Sequence, residues 1–190
     1  MTTRRIVVGV SGASGVPLAF NLLKELRNHS EIETHLVVSG GTERTIEMET
    51  DYDLLELHCL ADVLHDNENI GASIASGTFR VDGMIVVPCS MKTLAGIAHG
   101  YSDNLLLRAA DVNIKERRKL VLVTRETPLS RLHLKNMLTA TEYGAIIMPP
   151  MLTYYNHPET IEDMETHIVG KILHEFDIEA THYKRWCEDK

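Results

Sequence analysis

The 190-residue sequence predicts a doubly wound α/β domain built on a parallel sheet. Three observations carry this reading. Short apolar, β-branched runs alternate with longer segments of helical period along the chain. Several of the runs, IVVGV, MIVV and LVLV among them, are apolar without alternation, as strands buried on both faces require. Turns rich in glycine and hydroxyl groups follow the runs, and in such sheets ligands bind beyond the carboxyl ends of the strands.

Taken in order, Ile6 to Val10 is the first expected strand, followed by the turn SGASG and a helix from Val16 to Arg27. Thr34 to Val38 is the second strand, with Ser39-Gly40-Gly41 behind it and a helix from Glu43 to Glu49. Cys59 to Phe79, containing HDNENIGASIASG, keeps neither period and reads as an extended connection or a loop over the site. Met84 to Val87 is the third strand, and PCSMKTLAGIAHG opens a helix with Ser90 as its N-cap and Thr93 in its first turn. A helix from Asn104 to Arg117, a strand from Leu120 to Val123, a helix from Leu132 to Tyr143 and a strand from Ala145 to Met148 follow. The loop PPMLTYYNHP leads to a last helix from Thr160 to about Phe176. No repeat or linker interrupts the pattern, so residues 1–190 read as one domain.

Composition narrows the function classes. An apolar fraction of 44% and a charged fraction of 24% are ordinary for a globular protein. A formal net charge of -8 argues against duplex nucleic acid as a partner. Three cysteines without framework spacing point to reduced thiols and a cytoplasmic protein. The amino terminus, MTTRRIVVGV, reads as a first strand and not as a signal peptide. No apolar run approaches the roughly 20 residues of a membrane span.

The first turn, GVSGASG, is the first candidate site. A Walker A loop needs Gly-Lys-Ser/Thr, but Val16 and Pro17 follow Gly15. A dinucleotide fold places a carboxylate at the end of the second strand, where this chain has Val38-Ser39-Gly40. Two readings remain open: a strand-to-helix turn with no ligand, or an anion site formed by backbone N–H groups and the Ser11 and Ser14 hydroxyls. A mononucleotide such as FMN suits the second, because it makes no adenosine-ribose contact. The Ser90 to Thr93 helix start and Ser39 would lie on the same sheet edge.

Charged and aromatic residues add candidates. Arg108 and Lys115 share a helix face with Asp111 between them, either as ligands or as a solvated ion-paired face. Arg125 and Glu126 directly follow a strand, where a cation can clamp phosphate and an acid can move a proton. Glu49, at a helix end, and Lys171, on the last helix, are ordinary surface charges on spacing alone. Tyr154 and Tyr155 lie in a loop of the kind that covers sites. His167 and His174 read as a solvated face, since nothing completes a metal ligand set. Cys89 reads as a small buried filler.

Together, GVSGASG, ETHLVVS, METD, PCSMKTLAGI, NLLLRAADVNIKERRKLVLVTRETPLSRLHLKNML, GAIIMPP and YYNHPETIEDM resemble the flavin prenyltransferases of the UbiX type, long described as aromatic-acid decarboxylases. The resemblance covers nearly the whole chain, and RAADV-x-x-KERR with LVLV-x-RE-x-P is its most specific part. It implies a flavodoxin-like three-layer fold and a homo-oligomer, commonly a dodecamer. It also implies FMN and dimethylallyl monophosphate as ligands, with no metal. The implied reaction alkylates reduced flavin at N5, expels phosphate and closes a ring onto C6. The product, prenylated FMN, serves a UbiD-type decarboxylase in quinone synthesis or phenolic-acid breakdown.

By motif, the resemblance assigns flavin contacts to Gly12, Ala13, Ser14, Ser39, Ser90, Met91, Lys92, Thr93 and Arg125. It assigns the prenyl-phosphate site to Lys115, Glu126, Tyr155 and Lys171, with Arg108 and Glu49 nearby and Arg125 facing both ligands. Ser14, Glu49, Lys115 and Glu126 are the implied catalytic set. Lys171 departs from the pattern, since many relatives carry Arg there, and Lys lacks the bidentate fork. Tyr155 and Lys171 are expected to complete a neighbouring subunit's site. Besides a non-enzymatic flavin-binding module, two alternatives stand beside this reading. An FMN-dependent decarboxylase acting directly on aromatic acids is one. A flavin-dependent cysteine decarboxylase is the other, disfavoured because Pro17-Leu18-Ala19-Phe20 and Pro88-Cys89-Ser90 stand where that type carries its His and Asn motifs.

Overall fold

A computed structural model describes residues 3–187. Its sheet has six parallel strands in the order β3-β2-β1-β4-β5-β6. The strands are β1 (Arg4–Val10), β2 (Ile32–Val38), β3 (Val63–His65), β4 (Gly83–Cys89), β5 (Lys119–Thr124) and β6 (Ile146–Ile147). The helices are α1 (Val16–Leu26), α2 (Thr42–Glu49), α3 (Leu54–Cys59), α4 (Met91–Ala98), α5 (Leu105–Lys115), α6 (Arg131–Glu142) and α7 (Ile161–His174), with one 3-10 turn at Ser73–Ala75. Chain order reverses between β1 and β4, which makes their carboxyl ends the switch point where such sheets open a crevice.

The apolar strand runs sort onto two faces because successive side chains point to opposite sides. Ile6, Val8 and Val10 of β1, with Ile85 and Val87 of β4, pack against α1 and α7. Val7 of β1, with Met84 and Val86 of β4, packs against α4 and α5 on the other face. This gives a flavodoxin-like three-layer arrangement, and it explains why these strands lack polar positions.

Most elements fall within two residues of their expected bounds. The exception is Cys59 to Phe79. There β3 adds an edge strand, pairing His35 with Val63, Leu36 with Leu64 and Val37 with His65. Three residues are too few to show a period, and Leu64 is exposed. Asp62 accepts hydrogen bonds from the Thr34 backbone N–H (2.7 Å) and hydroxyl (2.8 Å), which anchors β3 beside β2. The short helix α3 is also new; Asp53 and Glu56 close its capping box.

Candidate active site

At the switch point the chain fixes its own backbone. The Ser11 hydroxyl donates to the Pro88 carbonyl (2.8 Å) and accepts from the Ser90 N–H (2.8 Å). It is fully buried, so it ties the ends of β1 and β4 together and offers nothing to an anion, contrary to expectation. Gly12 stands so close to the next turn that a Cβ there would lie 2.7 Å from the Gly41 carbonyl oxygen. Gly15 caps α1 with φ +107°, a conformation side chains rarely adopt. The Gly15 and Val16 amides donate to the same Glu49 carboxylate oxygen, at 2.8 and 3.1 Å. The helix N-terminus expected to hold a ligand anion thus holds the carboxylate at the end of α2, where the partial positive charge favours it. Glu49 is therefore not a stray surface acid but part of the first turn. Ala13 and Ser14 are half-buried above it.

Hydroxyls follow each neighbouring strand. The Ser39 amide donates to the Val10 carbonyl at 2.9 Å, and its Oγ lies 3.2 Å from the Thr42 Oγ1. Ser90 caps α4, accepting from the Thr93 amide at 3.2 Å and donating to the Thr93 hydroxyl at 3.1 Å. Met91 is half-buried, Lys92 exposed and Thr93 buried. At the end of β5 the Arg125 amide binds the Cys89 carbonyl at 3.1 Å, leaving the Arg125 and Glu126 side chains exposed at the edge. Glu126 accepts from the Thr127 amide at 2.9 Å. Thr124 is buried, and its hydroxyl has no partner among the described residues. This orphaned hydroxyl and the row of serines behind β1, β2 and β4 fit a polar group such as FMN. Burial pushes the Cys89 thiol up to about 12, so it is filler and not a nucleophile.

A second candidate region lies beyond β6, separate from the switch point. A cavity of about 450 Å³ is walled by Met148 and Pro149 and carries Tyr155, His167 and Lys171. The Tyr155 hydroxyl lies 3.2 Å from the His167 Nε2. Lys171 is half-exposed and donates to Glu175 at 3.0 Å. His167 corrects the sequence reading: it is buried and not on a solvated face, whereas His174 is exposed. The available clue was position, since His167 falls three residues after Met164 and beside Ile168 on the apolar stripe of α7. Burial holds its imidazole below the usual histidine range and so neutral near pH 7.

Lys115 is not brought to this edge, whereas Arg108 lies in the first turn of α5, whose Leu105 amide binds the Asn67 carbonyl just behind β3 at 2.8 Å. Arg108 pairs with Asp111 at 2.5 Å and donates to the Ala75 carbonyl at 3.3 Å. Lys115 pairs with Glu116. Because α5 ends at Lys115 and β5 begins at Lys119, Lys115 sits at the amino edge of the sheet. The length of β5, about 20 Å, separates it from Glu126. Among the described residues no three His, Cys, Asp or Glu side chains are grouped to hold a metal ion. No helix among them is long and apolar enough to cross a membrane.

The chain matches the Flavoprotein family over residues 1–175. It is 54% identical over 182 residues to a probable UbiX-like flavin prenyltransferase of Sedimentibacter hydroxybenzoicus, covering 96% of each chain. Among solved structures it is similar to AnUbiX (PadA1) in complex with FMN and dimethylallyl pyrophosphate, with a TM-score of 0.96 and 49% identity over 99% of this chain and 100% of that one. It is similar also to a dodecameric FMN-dependent UbiX-like decarboxylase of Escherichia coli O157:H7, with a TM-score of 0.94 and 51% identity over 96% and 98% of the two chains. Matches of this extent, on a sheet whose switch point and α7 cavity are laid out as above, place the chain in the UbiX-type flavin prenyltransferase family.

Proposed function

We propose that this protein transfers a dimethylallyl group from dimethylallyl monophosphate to reduced FMN, making prenylated FMN for a UbiD-type decarboxylase. The observation that supports this best is the cavity beyond β6. Its wall of Met148 and Pro149 is apolar, while Tyr155 and Lys171 supply a phenol and a cation. That pairing suits a short isoprenoid esterified to phosphate. Reduced FMN supplies the nucleophilic N5 and C6 atoms.

The chain's own residues have separable tasks. Gly12, Ala13, Ser14, Ser39, Ser90, Met91, Lys92 and Thr93 line the flavin side, and Arg125 faces both ligands. As the carbon–oxygen bond of the donor breaks, Tyr155 and Lys171, completing a neighbouring subunit's site as expected, stabilise the charge gathering on the departing phosphate. Glu126, exposed at the end of β5, is placed to accept a proton, and Glu49 fixes the first turn beneath Ser14. Arg108, near the carboxyl-edge end of α5, stands close to the prenyl-phosphate side, while Lys115 lies on the wrong edge to join this site in its own chain. Lys115 serves the site of a neighbouring copy, which makes a homo-oligomer, a dodecamer as in the Escherichia coli O157:H7 structure, part of the activity. The unpaired cysteines agree with work in the cytoplasm.

The test is anaerobic incubation of the protein with FMN, a reductant and dimethylallyl monophosphate or diphosphate, followed by mass spectrometry of the released flavin. A gain of one five-carbon unit supports the proposal, and the donor that gives it is the substrate. The Escherichia coli O157:H7 relative is described as a decarboxylase, which favours a second reading. Unmodified FMN together with turnover of an aromatic acid by this protein alone would establish that reading instead.

A further inference from the structure

We infer that His167 is a positioning residue: its Nε2–H donates to the Tyr155 oxygen and so turns the Tyr155 hydroxyl proton toward the phosphate of the prenyl donor. This rests on the reading above, in which the α7 cavity takes that phosphate.

Tyr155 stands in the loop between β6 and α7, outside regular structure. Its ring is set by edge contacts with His167 and Trp186, at centroid distances of 5.5 and 5.0 Å. Those contacts fix the ring but leave the hydroxyl hydrogen free to rotate. The direction of that hydrogen decides whether Tyr155 can donate into the cavity. The group within reach is the His167 Nε2, at 3.2 Å.

The protonation pattern follows from a count of donors. A neutral imidazole has one N–H and one bare nitrogen. The His167 Nδ1 is buried and has no hydrogen-bond partner among the described residues. Were Tyr155 to donate to Nε2, the imidazole proton would sit on Nδ1, a buried N–H without an acceptor. The phenol would also have spent its only proton inward. With the proton on Nε2, the orphan is a bare lone pair, the less costly of the two. The Tyr155 oxygen then accepts from His167 and keeps its own proton for a ligand. Accepting one hydrogen bond polarises the phenol and strengthens the bond it donates. The Tyr183 ring, 5.1 Å from His167, holds the imidazole in place. His167 touches no reacting atom here; it acts through Tyr155.

The experiment compares His167→Phe, His167→Gln, Tyr155→Phe and the double phenylalanine variant of the full chain. Each is assayed with reduced FMN and dimethylallyl monophosphate. His167→Phe keeps the ring and loses the donor; His167→Gln restores an N–H near Nε2. The expected result is a rise of about tenfold in the KM for the prenyl donor in each single phenylalanine variant, with FMN affinity unchanged. The double variant is no worse than either single one, and His167→Gln recovers most of the loss. Multiplied effects in the double variant, or an unchanged KM in His167→Phe beside a raised KM in Tyr155→Phe, would overturn the inference. An unchanged KM in Tyr155→Phe would instead remove the reading of the cavity as the phosphate site. Independently of any variant, NMR of isotope-labelled histidine in the wild-type protein reads the tautomer. Nε2–H is expected, and Nδ1–H sinks the idea.

Discussion

The switch point and the α7 cavity lie on the same side of the sheet and are built in opposite ways. At the switch point Ser11, Ser39, Thr42 and Glu49 are bound within the chain, by one another or by backbone. In the cavity the His167 Nδ1 has no partner among the described residues, and Tyr155, hydrogen-bonded to His167 and in edge contact with Trp186, stands against an apolar wall. The first region spends its polar groups on fixing backbone, so its shape exists before any ligand arrives. The second keeps polar capacity open, at a cost in stability that a ligand can offset. Mutations should therefore separate: switch-point changes act on stability, cavity changes on turnover.

The largest expected effect falls at the exposed acid between them. Glu126→Gln should lower the rate of prenyl transfer by about 100-fold, the scale of one lost proton-transfer group, while the melting temperature stays within about 2 °C. Single-turnover kinetics beside a thermal melt checks this. A large fall in melting temperature would break the comparison, because Glu126 would then belong to the scaffold.

Ser11→Ala tests the other side. It strips the half-buried Ser90 N–H of its acceptor and should destabilise the fold by about 1–3 kcal/mol. Urea unfolding measures this, and kcat for the folded fraction should remain near wild type. A stability unchanged by the substitution would mean that the switch point is not the rigid scaffold described here.

Lys171→Arg sharpens the cavity side. A bidentate fork in place of a point charge should lower the KM for the prenyl donor by about threefold, with no change in stability. Donor titration of the variant settles it. An unchanged KM would place the phosphate away from α7.

The smallest effect lies far from both regions and serves as a control. Arg5 and then His35 hydrogen-bond Glu33 and hold its carboxyl below the usual 4.5. A depressed carboxylate stabilises the folded state above its unfolded value and loses that contribution as pH falls. Glu33→Gln should therefore flatten the decline in stability below about pH 4.5 and leave prenyl transfer at neutral pH untouched. Denaturant midpoints measured from pH 7 down to pH 3 test this, and an unchanged acid decline would remove Glu33 as its source.

The sequence was most legible where one period dominated. Val16 to Leu26 carries an apolar stripe wide enough to mark α1, and LVLV marks β5. It was least legible where contacts run across the sheet. Val63 to His65 forms β3 only because β2 offers a free edge and Asp62 anchors it. Ser11 and Ser14 look alike in SGASG, yet Ser11 is consumed by Pro88 and Ser90 while Ser14 stays half-buried above Glu49. His167 read as solvated because a sevenfold spacing to His174 does not say which face of α7 the sheet covers.

By itself the sequence determined the α/β class and the order of its main elements, because apolar periodicity is local and strong. It also determined which residue types follow each strand, through motifs specific enough to indicate the family. Tertiary structure alone decided that Glu49 fills the first turn, that Tyr155 meets His167, and that Lys115 and Glu126 stand at opposite ends of β5. Each of these joins residues separated by helices or strands, and only the packing of those elements sets which donors find acceptors and which remain open for a ligand.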